Sequence, residues 1–146
     1  ERFGEKILGP HLDAADDAVD LVERRDHDDR QIAACRRRLH LLEHLKANGF
    51  TTRVKNIDNP SDYRERGGIP DHLGSCHTGM VGGYAIEGHV PASEIKRLLA
   101  EKPKAKGLAV PGMPLGSPGM EGPRKDPYDV LLVHADGRTS VYKHYK

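Results

Sequence analysis

The segment that most constrains this chain is a pair of strand-like runs joined by two glycines. Ser75-Cys-His-Thr-Gly-Met-Val81 is followed by Gly82-Gly83 and then by Tyr84-Ala-Ile-Glu-Gly-His-Val90. Glycine supplies the positive φ that a two-residue hairpin turn requires. Such a turn fixes the register, pairing Val81 with Tyr84, Gly79 with Ile86, Thr78 with Glu87 and Cys76 with His89. Alternation along the strands then puts Cys76, Thr78 and Met80 on one face with Glu87 and His89. Val81, Tyr84 and Ile86 take the other face, toward a core. His77 falls on that apolar side of a regular strand, so Cys76 and His77 do not share an ion unless the strand breaks there.

Directly opposite residues sit roughly 4.5–5.5 Å apart at Cβ. A thiolate and an imidazole at that spacing meet on one metal ion, and the soft sulfur favours copper(I) or zinc. Met80 lies roughly 13 Å from Cys76 along a strand and cannot join the same ion. The bland alternative makes Cys76 a small buried hydrophobe and His89 a surface residue, since two ligands form an incomplete site. More sulfur lies downstream, where Pro111-Gly-Met113 and Pro118-Gly-Met120 repeat a tripeptide seven residues apart. Thioethers on such a loop suit copper(I); equally, each methionine can serve as packing.

Elsewhere the pattern is that of a single α/β domain. Residues 1–30 are dense in Asp, Arg and His, and Leu12, Ala15, Val19 and Val22 keep helical spacing, so a charged helix or disorder is expected there. Ile32, Cys35, Leu39, Leu42 and Leu45 form an apolar stripe on a helix over 31–48, stopped at Asn48-Gly49 with Phe50 folding back. Residues 51–57 read as a strand, and Asn59-Pro60-Ser61-Asp62 as a turn capping a short helix near 63–66. A helix is expected over 91–100 and an irregular Pro/Gly loop over 103–122. A second hairpin turns at Asp136-Gly137, between 128–133 and 139–142.

The totals exclude more than they assert. With 23 Lys and Arg against 22 Asp and Glu, the chain offers no charge argument for nucleic acid or an anionic membrane. No apolar run approaches the ~20 residues that span a bilayer, and no signal peptide is visible. Two cysteines, Cys35 and Cys76, are too few for a disulfide scaffold, and bridging, burial and metal binding all remain open to them. Nine histidines are scattered outside any H-E-x-x-H pattern; His40 and His44 share a helical face. Catalytic signatures are lacking: there is no phosphate-cradling loop and no G-x-S-x-G elbow. Arg36-Arg37-Arg38 follows Cys35, where it could lower the thiol pKa or simply form a solvated basic face.

The run Ser75-Cys-His-Thr-Gly-Met-Val-Gly-Gly-Tyr-Ala-Ile-Glu-Gly-His-Val-Pro-Ala92 resembles the signature of the domain of unknown function 411 family, the CopG-type copper-associated proteins. Gly107-Leu-Ala-Val-Pro-Gly-Met-Pro-Leu-Gly-Ser-Pro-Gly-Met120 resembles its second signature, and Glu43-His-Leu-Lys-Ala-Asn-Gly-Phe50 and Gly68-Ile-Pro70 also fit. The likeness runs from about residue 42 to the end. It implies a thioredoxin-like fold, export to the periplasm and a cysteine-based copper site to which Cys76 contributes. Family members carry a C-x-C-C motif at the start of the first helix, after a strand. Counted back from His44, those three positions fall on Cys35, Arg37 and Arg38, and Gln31-Ile-Ala-Ala34 stands where the family has its strand end and Ser-Pro.

The resulting expectation is an α/β, thioredoxin-like fold with two β-hairpins, its first strand missing or replaced by an N-terminal helix. A charged segment over 1–30 would precede a metal-binding domain over 31–146. The expected function is non-enzymatic binding of copper, as copper(I) and ahead of zinc, for copper handling or resistance. Its ligands are Cys76, His89, Cys35, Met113 and Met120; no nucleic-acid partner or membrane insertion is expected. The alternatives are a thiol–disulfide redox protein that cycles a Cys35–Cys76 bridge, or a copy frameshifted upstream of about residue 42 that binds no metal tightly.

Overall fold

The computed structural model describes the backbone of residues 18–24 and 32–146, and the side chains of 18–21 and 39–146. Elements follow in the order β1 (Ala18–Arg24), α1 (Ile32–Ala47), β2 (Thr51–Ile57), α2 (Ser61–Arg66), a 3-10 turn (Asp71–Leu73), β3 (His77–Val81), β4 (Tyr84–Gly88), α3 (Ala92–Glu101), β5 (Ala105–Val110), β6 (Tyr128–His134) and β7 (Thr139–Tyr145). The strands form one sheet in the order β2-β1-β3-β4-β5-β6-β7. The pairs β1–β2 and β4–β5 are parallel, and the others are antiparallel.

Two hydrophobic layers clasp the sheet. On one face Leu41 and Leu45 of α1, with Ile95 and Leu98 of α3, pack on Val19, Leu21, Val81, Ile86, Leu108, Val110 and Val130. On the other, Ile69 and Leu73 cover Met80, Ala85, Ala109 and Val133. The period-2 alternation is visible in neighbours sent to opposite layers: Val81 and Met80, Ile86 and Ala85, Leu108 and Ala109. The Gly82-Gly83 turn has φ of +54° and +85°, and the β3–β4 register is the one the turn dictates: Val81 with Tyr84, Gly79 with Ile86, Thr78 with Glu87.

Three expectations are corrected. Ala18–Arg24 is a strand between β2 and β3, so the first strand is present and the helical or disordered reading fails there. Val19 and Leu21 sit on one face of it, a two-residue period that the three- and four-residue steps from Leu12 to Val22 had obscured. The rest of the first thirty residues lies outside the described part. Ala105–Val110, read as loop, is a buried strand: Leu108, Ala109 and Val110 are fully covered between β4 and β6. On α1 the core-facing pair is Leu41 and Leu45, whereas Leu39 is 50% exposed. The helix end behaves as read: Gly49 has φ +91°, and Phe50 N–H returns to the Leu45 carbonyl at 3.1 Å.

Candidate metal centre

Cys76, His77 and His89 come together where the first hairpin opens. Cys76 sits on a bend just before β3, and His89 follows Gly88, whose φ of +74° turns the chain out of β4. An L side chain rarely adopts that φ, and a Cβ on Gly88 would lie 2.6 Å from the Val110 carbonyl oxygen and 2.8 Å from Ser75 Cβ. The chain thus leaves the ladder on both strands, and the two ends curl toward each other. Cys76 Sγ lies 3.0 Å from His77 Nδ1 and 3.2 Å from His89 Nε2. The rings meet edge to face at 5.2 Å between centroids. The thiol is exposed and both imidazoles are buried.

Backbone carbonyls assign the tautomers. His77 Nε2 is 3.0 Å from the Gly88 oxygen and His89 Nδ1 is 2.5 Å from the Pro118 oxygen. A carbonyl only accepts, so each of these nitrogens carries the proton, and the nitrogen facing sulfur carries a lone pair. Burial, then the neighbouring His89 ring, push His77 down to about 3, against a smaller upward pull from the Gly88 carbonyl. A neutral imidazole whose far N–H is anchored on a carbonyl is the form in which histidine binds metals. The three donor atoms lie within 4.8 Å of one another. Donors on one ion at ~2.0–2.3 Å stand roughly 3.3–3.8 Å apart in a tetrahedral arrangement, so the sulfur–nitrogen gaps need open only by a few tenths of an ångström. The donor set fits a metal ion.

A buried polar network lies behind the thiol. The Glu87 carboxylate, 0% exposed, accepts from Ser75 N–H at 2.6 Å, Thr78 Oγ1 at 2.6 Å and Arg64 Nε at 3.1 Å. Burial raises its pKa, while Thr78, the Ser75 N–H and Arg64 pull it down. The loop carrying Met113 and Met120 docks on the same region through two carbonyls. Ser75 Oγ donates to Gly112 O at 2.7 Å, and His89 donates to Pro118 O.

Of the residues expected from sequence, the structure brings Cys76 and His89 together. Met113 is 42% exposed beside Gly112, and Met120 is buried near the far end of the docked loop. Cys35 lies on α1, but its side chain falls outside the described residues. His77 was missed as a ligand because a regular strand would turn it away from Cys76; His77 stays in β3, and the bends at Cys76 and His89 bring the thiol and the second ring to it. Glycine inside a strand-like run, here Gly88, is the signal that could have exposed that irregularity. His44, read as one of a helical pair with His40, accepts the Ala92 N–H at the start of α3 with its Nε2, at 3.1 Å. Burial lowers its pKa, against a smaller upward influence of Glu121. Its neutral form is therefore the one the fold prefers, and its contribution is present above the ordinary value of 6.5 and lost as pH falls below it. His44→Ala should cost about 1 kcal/mol at pH 7.5, as a lost helix cap does. Urea denaturation should show the gap between the two proteins narrowing in acid.

Fold and site together define a mixed α/β protein with a cysteine–histidine cluster of metal-binding geometry. Residues 73–120 match the family described as "Protein of unknown function, DUF411". Two solved structures of copper resistance protein CopG, its forms 1 and 2, share 40% and 41% identity with this chain. Each alignment covers 88% of this chain, with 96% and 98% of the respective CopG chains covered and TM-scores of 0.77 and 0.76. No curated protein sequence matches. The chain belongs to the DUF411 family.

Proposed function

We propose that this chain is a non-catalytic copper-handling protein that holds a metal ion, copper(I) ahead of zinc, on Cys76 Sγ, His77 Nδ1 and His89 Nε2. The observation that carries this reading is the convergence of two tautomer-fixed imidazole lone pairs on one thiol. One thiolate neutralises a monovalent ion, so copper(I) leaves no net charge beside two buried rings. A divalent ion leaves a positive charge there and a fourth position to fill. Sulfur with imidazole is also a donor set that copper(I) accepts. The relatives named for copper resistance support the same choice.

The finer features belong to the same proposal. A thioredoxin-like core is supported by β1, which lies between β2 and β3, runs parallel to β2, and is followed through α2 by an antiparallel β3–β4 hairpin and α3. The family likeness supports periplasmic residence; no described helix is long and apolar enough to cross a membrane. Cys35, Met113 and Met120 are kept as auxiliary soft donors, Met113 because its loop docks beside Cys76 through Ser75 and Gly112. The CopG alignments span more of the chain than residues 42–146 contain, which favours a divergent member over a frameshifted copy.

An anaerobic copper(I) titration against a competing chromophoric chelator tests the proposal. Cys76→Ala should weaken binding more than about 100-fold, since losing a ligand costs more than losing an outer partner. His77→Gln and His89→Gln also remove a ligand and should each weaken it by about 100-fold. Equal affinities for wild type and Cys76→Ala would remove the assignment. A Cys35–Cys76 disulfide that cycles in glutathione buffer, with no copper affinity, would restore the redox alternative.

A further inference from the structure

We propose that the buried Glu87–Arg64 pair positions Cys76 against the two histidines, a role that rests on the metal-binding reading above. Glu87 is not one of the three donors. Its carboxylate instead grips the chain on both sides of Cys76-His77, through the Ser75 N–H at 2.6 Å and the Thr78 hydroxyl at 2.6 Å. Arg64 reaches the same carboxylate with Nε at 3.1 Å and donates from Nη2 to the Ser75 carbonyl at 3.3 Å. The Ser75 hydroxyl is held separately by the Gly112 carbonyl. Every polar group of the residue preceding the thiol is therefore fixed, and from three different elements.

The neighbouring residues complete the device. Gly88 lacks the Cβ that would collide with Ser75, and its carbonyl orients the His77 ring. His89 is itself a donor. Three consecutive residues on the β4 side thus serve one purpose: Glu87 clamps the turn, Gly88 admits it, and His89 faces it. Desolvation offsets most of what a buried ion pair gains, so such a pair contributes little net stability over apolar side chains of similar size. Its value here lies in orientation. Outer partners of this kind commonly set metal affinity by 10–100-fold.

The test uses cobalt(II) as a spectroscopic probe of the full chain. Wild type, Glu87→Gln, Arg64→Lys and Cys76→Ala are titrated while the thiolate-to-cobalt charge-transfer absorption and the far-UV circular dichroism are followed. Glu87→Gln preserves shape and an acceptor for the Ser75 N–H but removes the charge that holds Arg64. It should lose about tenfold in cobalt affinity and shift the charge-transfer band at unchanged dichroism. Arg64→Lys keeps the charge but cannot hold Glu87 and Ser75 at once, and should lose about threefold with a smaller shift in the same direction. Wild-type affinity and spectrum in both variants overturn the proposal. If Glu87→Gln does not fold, Arg64→Lys decides alone. A Cys76→Ala variant that loses cobalt while the other two match wild type sinks the positioning role only. A Cys76→Ala variant that matches wild type in cobalt affinity sinks the metal reading and this inference with it; if wild type binds no cobalt, the same variants are compared by copper(I) affinity, and wild-type values in both Glu87→Gln and Arg64→Lys overturn the proposal.

Discussion

Gly107→Ala is expected to destabilise the protein by about 3 kcal/mol or more, at the upper end for inserting one carbon into a packed interior. Gly107 lies on β5 opposite Ala85 of β4 in the parallel ladder, next to an irregularity in the β5–β6 register. An added Cβ would lie 1.7 Å from the Ala85 carbonyl oxygen and 2.6 Å from its carbon. Those atoms are backbone in the middle of a sheet buried on both faces, so no side-chain rotation relieves the clash. Strand β4 would have to move, and the Glu87-Gly88-His89 run would move with it. Urea denaturation should show the midpoint falling steeply, and copper affinity should fall even where the variant stays folded. Gly122→Ala is the control: nothing lies within 4 Å of its added carbon, and its stability should stay within about 0.5 kcal/mol of wild type. A Gly107→Ala protein that unfolds with the wild-type midpoint would show that the strands do not approach as described.

Acid should unfold the metal-free protein through His77. In the fold this imidazole is held neutral down to about 3, chiefly by burial, whereas in the unfolded chain it titrates near 6.5. Between those values the unfolded state binds a proton that the folded state refuses. The stability tied to neutral His77 is complete above 6.5 and is lost as pH falls toward 3, at about 1.4 kcal/mol per pH unit. Carboxylates titrate over the same range, so the informative quantity is the difference from His77→Gln, whose side chain does not ionise. Urea denaturation at pH 7, 5.5 and 4.5 should show the wild type losing the extra increment at each step. Parallel curves for the two proteins would contradict a neutral, buried His77.

Which parts of this were readable in the sequence follows from the physics of each segment. The first hairpin was legible because two consecutive glycines permit one turn geometry, and that geometry fixes every pair down to Thr78 and Glu87. The helix stop at Gly49 and the return of Phe50 were legible for the same local reason. Strand β1 was not, because its neighbours in sequence are charged and its partners, β2 and β3, are distant along the chain. Strand β5 was hidden among prolines and glycines, although Leu108, Ala109 and Val110 are wholly buried. The site was half legible. Cys76 and His89 do meet, yet neither lies in the ladder from which their meeting was inferred. They meet because the chain bends just outside both strands, and the same bends carry the thiol to His77, which keeps its place in β3.

On the proposed metal-binding reading, the unequal exposure of the three donors would govern how an ion enters and leaves. The sulfur faces solvent while both rings are buried and tethered by the carbonyls of Gly88 and Pro118. An ion held there would be open to attack only from the thiolate side, so transfer would proceed by an incoming ligand that binds before the old one departs. Hand-over would then run at a rate set by the concentration and softness of the acceptor, whatever the equilibrium affinity. A small thiol in the medium would strip such an ion faster than unaided dissociation.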